Sequence, residues 1–293
     1  MNRYICEEID KRLSEQEQLK DRSDLTGSKS VMSLLLHELL QEAKDSARDL
    51  AEVKEELKRT MASHLRSFLF AGHDTTSSTL LYCFSLLSSH PEALARLLDE
   101  HDEIFGRDAS QAHRMICQDQ KLLNQLPYTL AVIKETLRLF PPASVLRVGR
   151  AGEEVVDQDG RRYPTEGCNV WTLALAIHHN PRYWVDPEAF RPERWLVGPD
   201  DVLYPPKGAW HPFGWGPKSC IGQTLALLEM KIALVMTLRE ICVVPAYRDW
   251  DESHPSKGIK SVNGNRAYQA EKGGGGAHPA NGFPARVMLR RRR

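Results

Sequence analysis

The longest run of ordered hydrophobic periodicity spans Leu50 to Ser89. Met61, Leu65, Phe68, Leu69, Leu80, Cys83, Phe84 and Leu87 recur there at spacings of three and four, which predicts one long helix. Its middle, Ala71-Gly72-His73-Asp74-Thr75-Thr76, breaks the stripe, and a mid-helix glycine costs about 1 kcal/mol relative to alanine. Pro91 suits the first turn of a second helix that Gly106 can end. A third is expected from about Leu126 to Phe140, stopped by Pro141-Pro142. From Val145 to Trp171 the period shortens, and Val155, Val156, Tyr163 and Val170 with a Gly160 turn predict short strands. Residues Asn180–Gly216, rich in Pro, Gly and Trp, read as an irregular packed meander, followed by a helical run Gln223–Leu238. Arg266–Ala270 and Ala285–Leu289 are expected to pair as strands across Gly273–Gly276. At the other end, Lys11–Gly27 reads as a polar connector before an apolar-striped segment, Ser30–Glu42. The fold class is mainly α with small β-sheets (α+β), without internal repeats.

Composition narrows the classes. The 293 residues carry 39 basic and 39 acidic side chains, so charge supplies no reason to expect nucleic acid as a partner. Cys6, Cys83, Cys117, Cys168, Cys220 and Cys242 are scattered without a Cys-x-x-Cys pair, against a zinc site or a disulfide framework and in keeping with a reducing compartment. No stretch approaches the roughly 20 apolar residues of a membrane-spanning helix. Met1–Lys20 is charged and polar, with no signal-peptide core. As written, the chain reads as soluble or peripherally attached.

The chemistry concentrates in Phe213-Gly214-Trp215-Gly216-Pro217-Lys218-Ser219-Cys220-Ile221-Gly222. A cysteine between glycines, opening a helix, suits a thiolate held still as an anion by the helix N-terminus, with Phe213 placed to cover the sulfur. Gly216 and Gly222 allow conformations or close approaches that a side chain blocks. The competing reading is a buried, inert cysteine after a Gly-rich turn. The stretch resembles the haem-thiolate signature of the cytochrome P450 monooxygenases, Phe-x-x-Gly-x-x-x-Cys-x-Gly, at every fixed position. That resemblance implies Cys220 as axial ligand of haem b iron, with Phe213, Lys218 and Gly222 beside the cofactor.

Further pieces follow in family order. Ala71–Thr76 resembles the family's oxygen-activation motif, which implies that Thr75 hydrogen-bonds dioxygen and Asp74 feeds protons through water. Read alone, it is a Ser/Thr-rich bent helix bonding its own carbonyls. Glu135-Thr136-Leu137-Arg138 is an i,i+3 acid–base pair on one helix face, of a kind usually worth little at a surface. With Pro192-Glu193-Arg194-Trp195 downstream, it resembles the family's Glu-x-x-Arg helix and meander, which implies that Glu135, Arg138 and Arg194 lock the haem-binding core. Lys218 stands where the family usually has Arg or His for a haem propionate, and Arg150 (less surely Arg147) is the second propionate candidate, each equally readable as a solvated charge. Ala143–Leu146 lines the substrate pocket by the same analogy. His178 and His179 point apart and read as structural, and Arg290–Arg293 as a solvated end.

The resemblance implies the C-terminal part of the cytochrome P450 fold as one truncated domain over 1–293. Residues 1–49 are connector and short helices, 50–90 the long distal helix, 91–144 helices including Glu-x-x-Arg, and 145–177 short strands. Residues 178–219 are meander and cysteine loop, 220–240 the proximal helix and 241–293 C-terminal strands and tail. Implied partners are an NADPH-dependent flavoprotein reductase, O2 and a small apolar organic substrate, with a fungal secondary-metabolism style in Phe68–Thr76 and Arg266–Arg286. For a full-length member the implied location is the cytosolic face of the endoplasmic reticulum membrane. No N-terminal roof of the pocket is recognisable before Ser30, so the isolated chain is expected to bind haem weakly or not at all, and monooxygenase activity to require the missing half. An inactive remnant is the alternative to an enzyme, and a haem sensor using Cys220 alone ranks last.

Overall fold

The computed structural model describes residues 2–18, 34, 41, 50–255, 258, 260–271 and 276–290. The chain divides into two compact units, Met1–His73 and Asp74–Arg293. The expected segment Ser30–Glu42 lies, but for two residues, outside those described.

In the first unit, helix α1 runs Asn2–Gln18, where a polar connector was expected from Lys11. Two effects override the polar composition. Ile5 and Ile9, four apart on one face, are buried together with Met61. Arg3–Glu7 and Arg12–Glu8 are ion pairs at helical spacing, and Lys58 Nζ meets Asp10 Oδ1 at 2.5 Å.

Helix α2 covers Leu50–Ser89 without interruption, so the motif at 71–76 does not break it. The cost of Gly72 is spread over 40 residues, and side-chain hydroxyls bond back to the helix: Ser77 Oγ donates to Asp74 O and Thr79 Oγ1 to Thr75 O.

The second unit continues with α3 (Pro91–Phe105), α4 (Ala112–Gln118) and α5 (Pro127–Leu139). The short α6 (Ala174–His178), α7 (Gln223–Leu238) and α8 (Tyr247–Ser253) follow. Proline opens α3 and α5, and Gly106 at φ 71° caps α3. The core sits where α5 and α7 meet α3 and the later turns of α2, with Cys83, Leu87, Leu97, Val132, Ile133, Leu137, Met230 and Leu234 buried together. Helix α5 is buried nearly all round, so its polar residues must be satisfied internally. Glu100 of α3 does this at the helix start, accepting from Tyr128 N, Thr129 N and Thr129 Oγ1 at 2.6–2.9 Å.

Four two-stranded antiparallel sheets surround this core among the described residues. Strands β1 (Val145–Val148) and β4 (Asn169–Thr172) pair with Val145 opposite Thr172, and β2 (Glu154–Val156) pairs β3 (Arg162–Pro164) across the Gly160 turn. The C-terminal pairing differs from the expectation. Strand β6 (Gln269–Glu271) pairs β7 (Ala277–Pro279), while β8 (Ala285–Leu289) pairs β5 (Ile241–Pro245) with Val243 opposite Val287. The local hairpin closes the shorter loop at lower entropic cost. Asn281 and Phe283, both at positive φ, then turn the chain away toward β5.

Two buried histidines make stability depend on pH. Burial above all, aided by the Arg239 charge, pushes His101 down to about 3. Burial and the neighbouring His211 do the same to His178. Both are neutral in the fold, whereas an unfolded histidine titrates near 6.5. Their contribution is therefore complete above about pH 6.5 and lost as pH falls toward 3. Urea unfolding at pH 7 and pH 5 should differ by on the order of 2 kcal/mol per histidine, and His101→Gln should flatten part of that slope. A pH-independent midpoint would contradict the assignment.

Candidate functional site

The cysteine loop is shaped by its glycines. Gly214 and Gly216 sit at φ 75° and 74°, a region costly for side-chain-bearing residues. Residues Gly216–Lys218 form a 3-10 turn, and Ser219 N donates to Gly216 O. Cys220 N donates to Phe213 O at 2.8 Å, closing the loop onto the residue seven positions earlier. Cys220 then precedes Gly222, the N-cap of α7, so its sulfur lies at the positive end of a 16-residue helix. A Cβ built on Gly222 would stand 3.8 Å from Cys220 Sγ.

The thiol is exposed, which excludes the buried, inert reading. It also corrects the expected shielding. Phe213 does not cover the sulfur from solvent but is half-buried against Trp210, ring centroids 6.1 Å apart. Lys218 is exposed, and Arg150 is exposed with Glu153 as a distant ion partner at 3.9 Å. Neither is brought to the thiol by any described contact. Val145 meets the loop at another point: its Cγ2 lies 3.5 Å from where a Cβ on Gly214 would be, so the first residue of β1 abuts the loop.

Behind the loop lies a charge cluster on α5. The Glu135 carboxylate, fully buried, accepts from Arg138 Nε and Nη2 at 3.0 and 2.8 Å. It also accepts from Arg194 Nε at 3.2 Å, Arg191 N at 3.0 Å and Trp195 Nε1 at 3.1 Å. Arg138 spends its remaining donors on the carbonyls of His178, Pro187 and Ala189, and Arg194 Nη2 on Asp186 O. Burial lowers the Arg194 proton affinity while Glu135 raises it. Both histidines act as spacers here. His178 accepts from His211 N through Nε2 and meets Arg138 O through Nδ1. His179 bridges Glu188 and Leu139 O. From Trp195 an aromatic series continues through Trp210, whose Nε1 donates to Lys134 O, to Phe213.

On α2, Asp74 and Thr75 occupy consecutive positions, and Thr76 Oγ1 beside them is buried without a hydrogen-bond partner. Asp74 Oδ1 contacts His278 Nε2 of β7 at 2.9 Å. Sequence reasoning missed that contact. The two residues are 204 apart, and no local signal links them.

The whole order is thereby in place: an acid–alcohol pair on a long helix, a buried Glu–Arg–Arg cluster, and an exposed cysteine at a helix N-terminus. The family model described as Cytochrome P450 matches residues 2–267. The chain belongs to the cytochrome P450 family. Cytochrome P450 monooxygenase polC of Polytolypa hystricis is 45% identical over 231 residues, covering 78% of this chain and 41% of the relative. For acrF of Aspergillus aculeatus the figures are 34%, 78% and 50%. The chain thus spans about half or less of these two curated relatives. A shorter relative, cytochrome P450 monooxygenase PC-23 of Penicillium crustosum, is 37% identical and is covered over 99% of its length. The haem domain of a mutant cytochrome P450DA superposes with a TM-score of 0.60 at 24% identity, covering 80% of this chain and 45% of that one, which shows the fold.

The residues fit the family's cofactor on donor chemistry. A single exposed thiol at a helix N-terminus is the donor that haem-thiolate ligation needs. Among the described residues no helix is long and apolar enough to cross a membrane.

Removing the acid from the α5 cluster leaves two buried guanidinium groups facing each other. Glu135→Ala should cost about 3–5 kcal/mol, read as a lowered urea midpoint. Glu193→Ala, which removes a half-exposed partner of Arg96, should cost under about 1 kcal/mol. Equal costs for the two would show that the cluster is not the anchor.

Proposed function

We propose that the chain carries the catalytic core of a haem-thiolate monooxygenase that oxidises a small apolar organic substrate. The observation that carries this reading is the exposed Cys220 thiol at the start of α7, in one chain with the Asp74–Thr75 pair on α2. When bound, haem b supplies the redox chemistry by which dioxygen is divided between substrate and water, using two electrons and two protons. Cys220, at the α7 N-terminus, would hold the cofactor through its sulfur. Lys218 and Arg150 would offer positive charge to its propionates, Lys218 as a point charge rather than a bidentate fork. Thr75 donates a hydrogen bond toward the oxygen side, and Asp74 takes a proton from the surroundings and releases it inward through water. Glu135, Arg138 and Arg194 touch no reactant and fix the loop.

Electrons come from an NADPH-dependent flavoprotein reductase, and the full-length enzyme works at the cytosolic face of the endoplasmic reticulum. Three fungal relatives named as monooxygenases support a place in fungal secondary-metabolite biosynthesis.

Haem titration into the purified chain tests the assignment. The reduced carbonyl spectrum should show the thiolate-type band in wild type, in Cys117→Ser and in Cys168→Ser, and lose it in Cys220→Ser. Both control cysteines are exposed. A band that survives Cys220→Ser would overturn the reading, and haem taken up by wild type without that band would do the same.

A further inference from the structure

The C-terminal hairpin β6–β7 makes contacts with α2 that neither strand pairing nor core packing explains. Both oxygens of the Asp74 carboxylate meet it. Oδ1 lies 2.9 Å from His278 Nε2, and Oδ2 lies where a Cβ on Gly276 would come within 2.2 Å. A side chain at Gly276 would therefore have to displace the carboxylate from this place. One helical turn on, Ser78 Oγ donates to Ala277 O at 2.5 Å. On its other side the hairpin is pinned to the break after α5: Ala277 N donates to Pro142 O at 2.8 Å and Gln269 Nε2 to Pro141 O at 3.0 Å. His278 is thus held between two fixed elements with its ring nitrogen on Asp74, yet about a fifth of its side chain remains exposed.

We propose that His278 is a positioning residue for Asp74 that also supplies it with protons, which makes the C-terminal hairpin part of the proton path. The inference rests on the monooxygenase reading above. In each transfer the imidazolium gives its Nε2 proton to Asp74 Oδ1, leaving a neutral imidazole and a carboxylic acid. Asp74 then releases a proton inward to water beside Thr75, and His278 recovers one from solvent. Charge and protons balance at every stage, and no further reactant is needed. Histidine suits the task because both ring nitrogens exchange protons near neutral pH. Gly276 leaves the room that the carboxylate occupies beside the ring.

The test has two arms. In the haem-free full chain, two-bond proton–nitrogen NMR of the His278 ring should show a hydrogen-bonded Nε2 that changes in Asp74→Ala and is untouched by Gln269→Ala. An Nε2 signal indifferent to Asp74→Ala would overturn the pairing whatever the chain's activity. In the haem-loaded chain, supplied with a flavoprotein reductase and NADPH, His278→Gln should slow oxygen consumption about tenfold and enlarge the solvent deuterium effect. Amide exchange at Ala277 and His278 should stay unchanged, because glutamine keeps a hydrogen bond to Asp74. Unaltered oxygen consumption in His278→Gln would overturn proton supply. A wild-type chain that holds haem but consumes no oxygen would instead count against the monooxygenase reading and take the relay with it, leaving the NMR result standing.

Discussion

One buried carboxylate organises the second unit. Glu135 accepts five hydrogen bonds from two guanidinium groups, an indole and a backbone amide, with no exposure to water. A charge so placed is tolerable only because its partners are complete. The excess positive charge of Arg138 and Arg194 is spread over carbonyls of His178, Asp186, Pro187 and Ala189. Three of those carbonyls belong to the irregular stretch between α6 and the cysteine loop, and that of His178 ends α6. A segment with almost no secondary structure of its own is thereby given one conformation by side-chain bonds from α5. From Trp195 the constraint passes through Trp210 to Phe213, whose carbonyl holds the Cys220 amide. Scaffold and cysteine position are parts of one network.

Much of this was legible in the sequence, for identifiable reasons. Helix α7 has the expected limits, Gln223–Leu238, because a glycine cap and an unbroken apolar run mark them. Helix α5 falls within a residue of expectation, since Pro127 and Pro141 bracket it. Glu135, Arg138 and Arg194 are brought together as their motif implies, although nothing in their spacing alone distinguishes a buried cluster from a surface pair.

What escaped was long-range or context-dependent. Pairing of β5 with β8 joins residues forty or more apart, and a Gly-rich turn between two apolar runs suggested a simpler hairpin. Polar composition hid α1, whose two isoleucines carry its burial. The Asp74–His278 contact depends on the hairpin's docking between α2 and Pro142, which no local pattern encodes. Each miss concerns a partner distant in the chain, and each reading that succeeded rests on a cap, a breaker or an ordered motif.

The central claim is that the Glu135 network, reaching through Trp195 and Trp210, holds the cysteine loop in place. Backbone hydrogen exchange at Cys220 measures this most directly, because its amide bonds Phe213 O. Glu135→Gln should lower protection at Cys220 and at Gly214 together with Arg191, while the central amides of α7 keep theirs, showing that the chain remains folded. Loosening at Arg191 with unchanged protection at Cys220 would contradict the account and make the loop a self-supporting turn.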